Sequence, residues 1–269
     1  GIGRAARNGI LIKGGDTLEK LANIKNIVFD KTGTITTGNF KVSDFNTIIG
    51  ETNEIKNIIY NIEKHSSHPI AKSLCNEFKE FSDKLEISEI HEEKGLSISA
   101  KINNHTYSIG SSKITTEKQN SDLYVTKNNQ LIATINIKDE VKEGTQNIIS
   151  TLNKKHTTIL LSGDNAKKCQ AVTKELNINK TLSNQSPIDK ITKIKNLVKT
   201  NPTVMIGDGI NDAPALSKST IGISLANATQ IAIQSSEIIL LNNKSLEQLP
   251  KALQIGKHTL LTIKQNLFW

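Results

Sequence analysis

The stretch IVFDKTGTIT, residues 27–36, decides the fold class because an apolar run ends abruptly in a polar turn. The isoleucine, valine and phenylalanine predict a buried strand, and Asp30 and Lys31 follow at once, with a glycine and threonines behind them. In an open parallel sheet, ligands bind beyond the carboxyl ends of the strands. Asp30 is therefore expected to face a functional site.

Further apolar runs recur along the chain, with helix-period segments at 141–155 and 187–200 between them. Strands that are apolar on both faces and separated by helices are typical of a parallel sheet covered on both sides. We predict a Rossmann-like, doubly wound α/β domain formed by residues 21–36 and 129–250. Its expected strands are NIVF (26–29), TTILL (157–161), TVMI (203–206), TIGISL (220–225) and SEIILL (236–241).

Residues 37–128 follow a different pattern, in which apolar and polar residues alternate around the Asn-rich turn signals KINNH and TKNNQ. This alternation favours an antiparallel sheet with one solvated face, and helical periodicity predicts helices at 54–65 and 69–82. We predict an inserted α+β domain here, which makes the α/β domain discontinuous in sequence. Residues 1–20 and 251–269 are expected to lie outside both domains.

The charge and composition exclude some classes of function. The chain has 269 residues, a formal charge of +8 and a pI near 9.3, but its lysines are scattered and aromatic residues make up only 4%. A solvated Lys-rich surface explains this better than a nucleic-acid site.

Two distant cysteines suit a reducing compartment. No apolar run of about 18 residues is present, and the ends are equally consistent with an amphipathic helix and with the edge of a membrane helix.

Acidic residues follow three of the predicted strands. Asp30 ends the first, Asp164 follows TTILL, and Asp208 and Asp212 follow TVMI. Carboxylates that converge at one sheet edge repel one another unless a cation lies between them, and Mg²⁺ prefers oxygen ligands. Mg²⁺ commonly accompanies phosphate groups.

Donors for a phosphate lie beside these carboxylates in the sequence. Backbone and hydroxyl groups of Thr32, Gly33 and Thr34 can donate, and so can Ser162 and Gly163 before a predicted helix. Lys190 adds a positive charge. The combination predicts phosphoryl transfer through Asp30.

The residue at position 32 affects how fast a phosphorylated Asp30 would be hydrolysed. A phosphatase with an aspartyl nucleophile benefits from a second acid nearby that activates water. Thr32 cannot titrate near neutral pH, so an aspartyl-phosphate at Asp30 is expected to persist. Persistence favours an enzyme that uses the intermediate over a simple phosphatase.

The motifs DKTGTIT, SGDN and GDGINDAPAL resemble those of P-type ATPases within the haloacid-dehalogenase superfamily, over essentially the whole chain. SSHPIA (66–71) resembles the Ser-x-His-Pro signature of the heavy-metal-transporting subclass, type IB. The resemblance implies a haloacid-dehalogenase-type phosphorylation domain and an inserted nucleotide-binding domain. It also implies that 1–20 and 251–269 are stalk segments next to membrane helices.

The resemblance also implies roles for individual residues. Asp30 would be phosphorylated, Lys31 and Thr32 would steady the γ-phosphate of ATP, and Asp30, the Thr32 carbonyl and Asp208 would hold Mg²⁺. The remaining phosphate-site residues would be Thr34, Ser162, Gly163, Asp164, Lys190, Asn211 and Asp212. The adenine pocket would be formed by Glu63, His68, Gly95 and Gly110.

Three positions depart from the family pattern. Glu93 occupies the first glycine of the family's Gly-x-Gly, Ser111 replaces the asparagine after Gly110, and Ser162 replaces a threonine. Because an added carboxylate can repel a triphosphate, we predict weaker ATP binding than is typical of the family.

The resemblance leaves the cargo and several alternatives open. NGILIKGG and KQNLFW favour Cu⁺, with Zn²⁺, Cd²⁺ and Pb²⁺ open, and the metal ligands, membrane helices and actuator domain would lie elsewhere in the parent protein. The expected location is the cytosolic face of a bacterial plasma membrane. Two alternatives remain: a free-standing phosphatase of the same superfamily, and a nucleotide-binding module that is inactive without its membrane half.

Overall fold

The computed structural model describes residues 1–93, 96–117 and 120–267. Its helices are α1 Ile2–Arg7, α2 Thr17–Ala22, α3 Thr52–Glu63, α4 Pro69–Glu77, α5 Thr145–Asn153, α6 Ala166–Leu176, α7 Pro187–Thr200, α8 Ala213–Leu216, α9 Gln230–Gln234 and α10 Gln248–Leu267. Its strands are β1 Ile10–Ile12, β2 Asn26–Asp30, β3 Thr36–Thr47, β4 Ser88–Glu93, β5 Ser97–Ile102, β6 His105–Gly110, β7 Leu123–Lys127, β8 Gln130–Val141, β9 Thr157–Leu161, β10 Lys180–Leu182, β11 Thr203–Gly207, β12 Ile221–Leu225 and β13 Ile238–Leu240.

The chain forms two compact units. The α/β unit comprises Gly1–Thr37 and Val141–Trp269, and the inserted unit comprises Gly38–Glu140. Within the described ranges, no helix combines the length and the apolarity that crossing a bilayer requires.

The α/β unit is built on a seven-stranded sheet in the order β1-β13-β12-β11-β2-β9-β10. All of its pairings are parallel except that between β1 and β13. Side chains of β2 alternate between two cores: Ile27 and Phe29 pack on the side of α2, α5, α6 and α10, while Val28 packs on the side of α7, α8 and α9. Burial on both faces explains why the strands read as continuous apolar runs.

The helices that follow the central strands begin at clear capping residues. The Asn165 side chain accepts a hydrogen bond from the Lys168 amide at the start of α6. Ser186 and Asp189 form a capping box around Pro187 at the start of α7. These caps satisfy amide groups that have no partner within the helix. They therefore fix where each helix begins relative to the strand before it.

The inserted unit contains a six-stranded sheet in the order β3-β8-β7-β6-β5-β4, and the pairings from β8 to β4 are antiparallel. The β5–β6 turn places Asn103 and Asn104 at positive φ, and the β7–β8 turn does the same for Asn128 and Asn129. Asparagine tolerates this conformation, as tight hairpins require. Helices α3 and α4 pack on the sheet through an apolar core.

The structure corrects several predicted boundaries. The inserted unit extends to Glu140 rather than to residue 128, because β8 belongs to the antiparallel sheet. Residues 1–20 and 251–269 belong to the α/β unit, since β1 pairs with β13 and α10 packs against α2; their place next to membrane helices stays a prediction. The predicted helix 69–82 ends at Glu77 and is followed by a short 3₁₀ turn at Lys79–Phe81.

Candidate functional site

The turn after β2 is folded tightly by its own side chains and by one glycine. The Gly33 amide donates to Thr36 Oγ1 at 3.2 Å, and Thr36 Oγ1 donates to the Lys31 carbonyl at 3.0 Å. Gly33 has φ +76°, and a Cβ atom there would lie 1.8 Å from Asp208 Oδ2. Only glycine fits both the left-handed backbone and this close approach to a carboxylate.

Three carboxylates lie together at the carboxyl ends of β2 and β11. Asp30, Asp208 and Asp212 each offer an oxygen within 4.8 Å of the others. Burial, followed by the charge of Asp212, raises the pKa of Asp30 to about 7 and that of Asp208 to about 6. Of the acidic residues predicted to converge, Asp30, Asp208 and Asp212 lie together in the folded chain, whereas Asp164 is outside this cluster.

Lys190 bridges two of these carboxylates. Its Nζ donates to Asp30 Oδ1 at 2.5 Å and to Asp212 Oδ1 at 2.8 Å, and all three residues are buried. Burial alone lowers the pKa of the Lys190 ammonium, but Asp30 and Asp212 more than reverse this, so the pKa lies above its usual value. The lysine therefore keeps its charge where it offsets part of the repulsion among the carboxylates.

The loop after β9 contributes the next group of predicted residues. Lys31 Nζ forms an ion pair with Asp164 Oδ2 at 2.5 Å. Ser162 is buried, and its Oγ accepts a hydrogen bond from the Asp164 amide at 3.2 Å. Gly163 is exposed beside this pair, where a Cβ atom would come to 3.3 Å from the Gln185 carbonyl. This ion pair links the turn after β2 to the end of β9.

The remaining predicted residues of this site differ in their surroundings. Thr34 is fully buried, and its Oγ1 has no hydrogen-bond partner in the described parts of the chain. Thr32 and Asn211 are exposed, and among the described residues no hydrogen bond joins either side chain to the three carboxylates. Thr32 and Asn211 are therefore not held in the cluster by side-chain contacts.

The residues present fit a Mg²⁺ ion next to a phosphate group. The clustered oxygens of Asp30, Asp208 and Asp212 are hard ligands of the type that Mg²⁺ prefers. The unpaired hydroxyl of Thr34 is a buried polar group that an additional partner would satisfy.

Sequence reasoning missed Lys142, which reaches this site from the end of β8. Its side chain is buried, and its Nζ donates to the Gly33 carbonyl at 2.8 Å. Lys142 follows Asp139, Glu140 and Val141 at the end of β8, outside the motifs DKTGTIT, SGDN and GDGINDAPAL, so its sequence context assigns it no role at this site. Only the fold reveals its contact with the turn.

The inserted unit contains a cavity of about 300 Å³. Of the predicted nucleotide residues, it is lined by Glu63, His68 and Gly110, and Gly95 lies outside the described residues. Glu63 is buried, and its burial, followed by the charge of Glu92, raises its pKa to about 7. Glu92 accepts a hydrogen bond from Ser66 Oγ at 2.5 Å.

Two of the predicted nucleotide residues have a local structural role as well. His68 caps α4, since its Nδ1 accepts a hydrogen bond from the Ile70 amide at 3.2 Å, which leaves Nε2 to carry the proton of a neutral ring. Gly110 is packed so closely that a Cβ atom would lie 2.4 Å from the Leu96 carbonyl. Next to it, Ser111 has a buried Oγ without a partner in the described chain.

The family model for haloacid dehalogenase-like hydrolases matches residues 24–220. The chain belongs to the haloacid dehalogenase-like hydrolases. This match begins just before β2 and ends just before β12, so it includes Asp30, Asp164 and Asp208.

This haloacid dehalogenase-like chain is similar in sequence to curated P-type ATPases. It is 35% identical over 290 residues to a copper-exporting P-type ATPase of Staphylococcus aureus and 33% identical over 289 residues to one of Staphylococcus saprophyticus. Both matches cover all of this chain but 36% of the relative. The chain thus spans about a third of the length of these relatives.

Solved structures agree over nearly the whole chain. The catalytic domain of the CPx-ATPase CopB-B matches with a TM-score of 0.83 and 32% identity, covering 95% of this chain and 98% of that one. A zinc-transporting PIB-type ATPase in its E2.Pi state matches with a TM-score of 0.82 and 27% identity, covering 98% of this chain and 46% of that one. The predicted resemblance and fold class are confirmed.

Proposed function

We propose that this chain is the ATP-binding and autophosphorylating part of a heavy-metal-transporting P-type ATPase. One observation carries the proposal: the Asp30 carboxylate lies in a cluster with Asp208 and Asp212 and is held by Lys190. An exposed acidic patch has no need of a buried lysine between two of its members, whereas a site for a phosphoryl group and Mg²⁺ does.

In the proposed reaction, an oxygen of Asp30 attacks the γ-phosphorus of ATP. A bond from Asp30 to phosphorus forms, the bond from that phosphorus to the β–γ bridging oxygen breaks, and ADP leaves with the electron pair. Lys190 and Lys31 offset the charge of the phosphoryl oxygens, and Thr34, Ser162, Gly163, Asn211 and Asp212 complete their surroundings. Asp30, the Thr32 carbonyl and Asp208 would hold Mg²⁺, which supplies charge neutralisation at the transferred group.

The phosphorylated state is expected to last because of Thr32. This residue stands where a phosphatase would place an acid, and a hydroxyl group cannot activate water near neutral pH. In the parent protein, the long-lived intermediate would drive transport before the actuator domain catalyses its hydrolysis.

The cavity of the inserted unit is proposed to bind the adenosine part of ATP. The Glu63 carboxyl and the His68 ring can form hydrogen bonds with adenine, and Gly110 allows the backbone to approach closely. We retain Gly95 as a member of this site on the basis of its motif.

Copper is the proposed cargo because the curated relatives are copper-exporting enzymes. The metal site, the membrane helices and the actuator domain would lie in the parts of the parent protein that this chain does not span, and the chain would lie on the cytosolic side of the membrane. Soft Cu⁺ requires thiolate or thioether ligands, which those membrane helices would supply.

The test is an acid-quenched incubation of the chain with γ-labelled ATP and Mg²⁺, beside Asp30→Asn. Protein-bound label that hydroxylamine removes and that the variant lacks is the expected result. Rapid phosphate release from many phosphoesters without bound label would instead identify a phosphatase. ATP binding with neither signal would mean that this part of the enzyme is inactive without its membrane half.

A further inference from the structure

Lys142 is attached to the turn after β2 at two points. Its buried Nζ donates to the Gly33 carbonyl at 2.8 Å, and its backbone amide donates to the Ile35 carbonyl at 2.9 Å. Its own carbonyl accepts a hydrogen bond from Thr145 Oγ1 at 2.7 Å, at the start of α5. The lysine therefore connects the turn to a helix that is anchored in the main core of the α/β unit.

The peptide that Lys142 holds lies against a member of the carboxylate cluster. Gly33 has a left-handed backbone at φ +76°, and its missing side chain leaves the space that Asp208 Oδ2 occupies. Gly33 is also three residues after Asp30, within the same folded turn. A rotation of this peptide would change the position of the turn relative to both Asp30 and Asp208.

A charged donor suits this location for two reasons. A buried carbonyl without a donor is costly, and an ammonium group forms a stronger hydrogen bond than a neutral donor. The ammonium also places a second buried positive charge near the carboxylates, on the turn, whereas Lys190 contacts Asp30 and Asp212 directly.

We propose that Lys142 is a positioning residue for phosphoryl transfer, which fixes the Gly33 peptide so that Asp30 and Asp208 keep the spacing that the reaction requires. This inference rests on the proposed function. Lys142 acts through its contacts with the Gly33 and Ile35 carbonyls of the turn. Misplacement of reacting groups by about 1 Å can lower a rate by about a hundredfold, so a positioning contact has a measurable effect.

The first test compares Lys142→Met and Lys142→Arg, with Lys154→Met as a control at an exposed lysine of the same unit. The measurement is the rate of label incorporation from γ-labelled ATP at saturating Mg²⁺, per folded molecule, together with the Kd of ATP. We expect Lys142→Met to lower the rate by about 10- to 100-fold. Lys142→Arg should recover most of the rate, and all variants should bind ATP within about twofold of the parent chain.

The second test needs no turnover and measures amide hydrogen exchange at Gly33. This amide donates to Thr36 Oγ1, so its protection reports on the folded turn. We expect exchange to be at least about tenfold faster in Lys142→Met than in the parent, and unchanged in Lys154→Met.

The two tests separate failure of this inference from failure of the proposed function. If the parent chain takes up no label, autophosphorylation by this chain alone is refuted, and exchange at Gly33 still decides whether Lys142 holds the turn. Unchanged exchange in Lys142→Met overturns the inference. So does a phosphorylation rate that stays at the parent value, or one that falls only as far as ATP binding falls.

Discussion

The two units surround the carboxylates of their candidate sites differently. In the α/β unit, Asp30 and Asp212 contact Lys190, and Asp164 contacts Lys31. The cavity of the inserted unit is lined by four acidic residues, Glu63, Glu92, Glu93 and Asp122, and its described lining residues include no lysine or arginine.

This difference indicates which of the two sites suits a charged ligand. Paired carboxylates and lysines hold fixed positions, as chemistry on a phosphoryl group requires. A cavity whose described lining has carboxylates but no lysine or arginine suits an uncharged group such as a nucleobase, and under the proposed function a carboxylate near its rim would act against the phosphates of ATP. We therefore expect substitutions in the α/β site to have large effects on rate and those in the cavity to have small effects on affinity.

The largest effect is expected for Gly33→Ala. Its Cβ would overlap the Asp208 carboxylate in a backbone conformation that alanine disfavours, so we expect phosphorylation to fall by at least about a hundredfold and the free energy of unfolding by about 1–3 kcal/mol. The control is Gly144→Ala, because Gly144 has φ +72° and, among the described residues, no atom within 4 Å of the place where a Cβ would lie. Equal rates of phosphorylation in the two variants would show that the contact with Asp208 is unimportant.

The next largest effect is expected from removing the lysine that pairs with the buried carboxylates. Lys190→Met removes the partner shared by Asp30 and Asp212, and breaking such a buried pair should lower the free energy of unfolding by about 3 kcal/mol. Phosphorylation should fall with it. Lys193→Met, at an exposed position of the same helix, is the control. Denaturant titration of both variants makes the comparison, and a loss of stability no larger in Lys190→Met than in Lys193→Met would refute the pairing argument.

The third effect is expected from pH in the inserted unit, and it reaches its full size only at the upper end of a pH window. Since the pKa of Glu63 is about 7 in the folded chain and its ordinary value is 4.5, the folded chain holds a proton that the unfolded chain releases between these values. Stability should therefore fall as pH rises from 4.5 to 7, by up to about 3 kcal/mol. Glu63→Gln should lack this component.

Tyrosine fluorescence can follow that unfolding, because Tyr60, Tyr107 and Tyr124 all lie in the inserted unit. The informative quantity is the difference in unfolding free energy between Glu63→Gln and the parent chain. If it does not grow with pH across this window, Glu63 is not the buried acid described above.

The smallest effect concerns Glu93, which lines the cavity and is exposed. A unit charge about 4 Å away contributes about 1 kcal/mol in water, and salt screens it. Glu93→Gly should therefore bind Mg-ATP about two- to fivefold more tightly at low salt, with less gain at high salt. Calorimetry beside Glu86→Gly, which removes an exposed carboxylate outside this cavity, measures the gain. No gain over that control would count against repulsion by Glu93.

The sequence was most informative where strands are buried on both faces. TTILL coincides with β9, and the other predicted strands of the sheet lie within two residues of the observed ends. The carboxylate cluster could be predicted too, because the ends of parallel strands meet at one edge. Short strands such as β1 and β10 carry too few residues for a periodic pattern.

Other features depend on contacts that no local pattern encodes. The boundary of the inserted unit was placed at residue 128, before β8, although β8 pairs antiparallel with β7 across the Asn128–Asn129 turn. Lys142 could not be identified because its partner Gly33 is 109 residues away. The packing of α10 on α2 is likewise a tertiary contact.

The most direct test of phosphoryl transfer to Asp30 is to locate the phosphorylated residue. After incubation with Mg-ATP and acid quenching, borohydride reduction converts an aspartyl-phosphate to homoserine, which mass spectrometry of peptides can place in the sequence. We expect homoserine at position 30 in the parent chain and none in Asp30→Asn. Homoserine at position 208 or 212 instead, or a phosphorylated chain that borohydride does not convert to homoserine at position 30, would contradict phosphoryl transfer to Asp30.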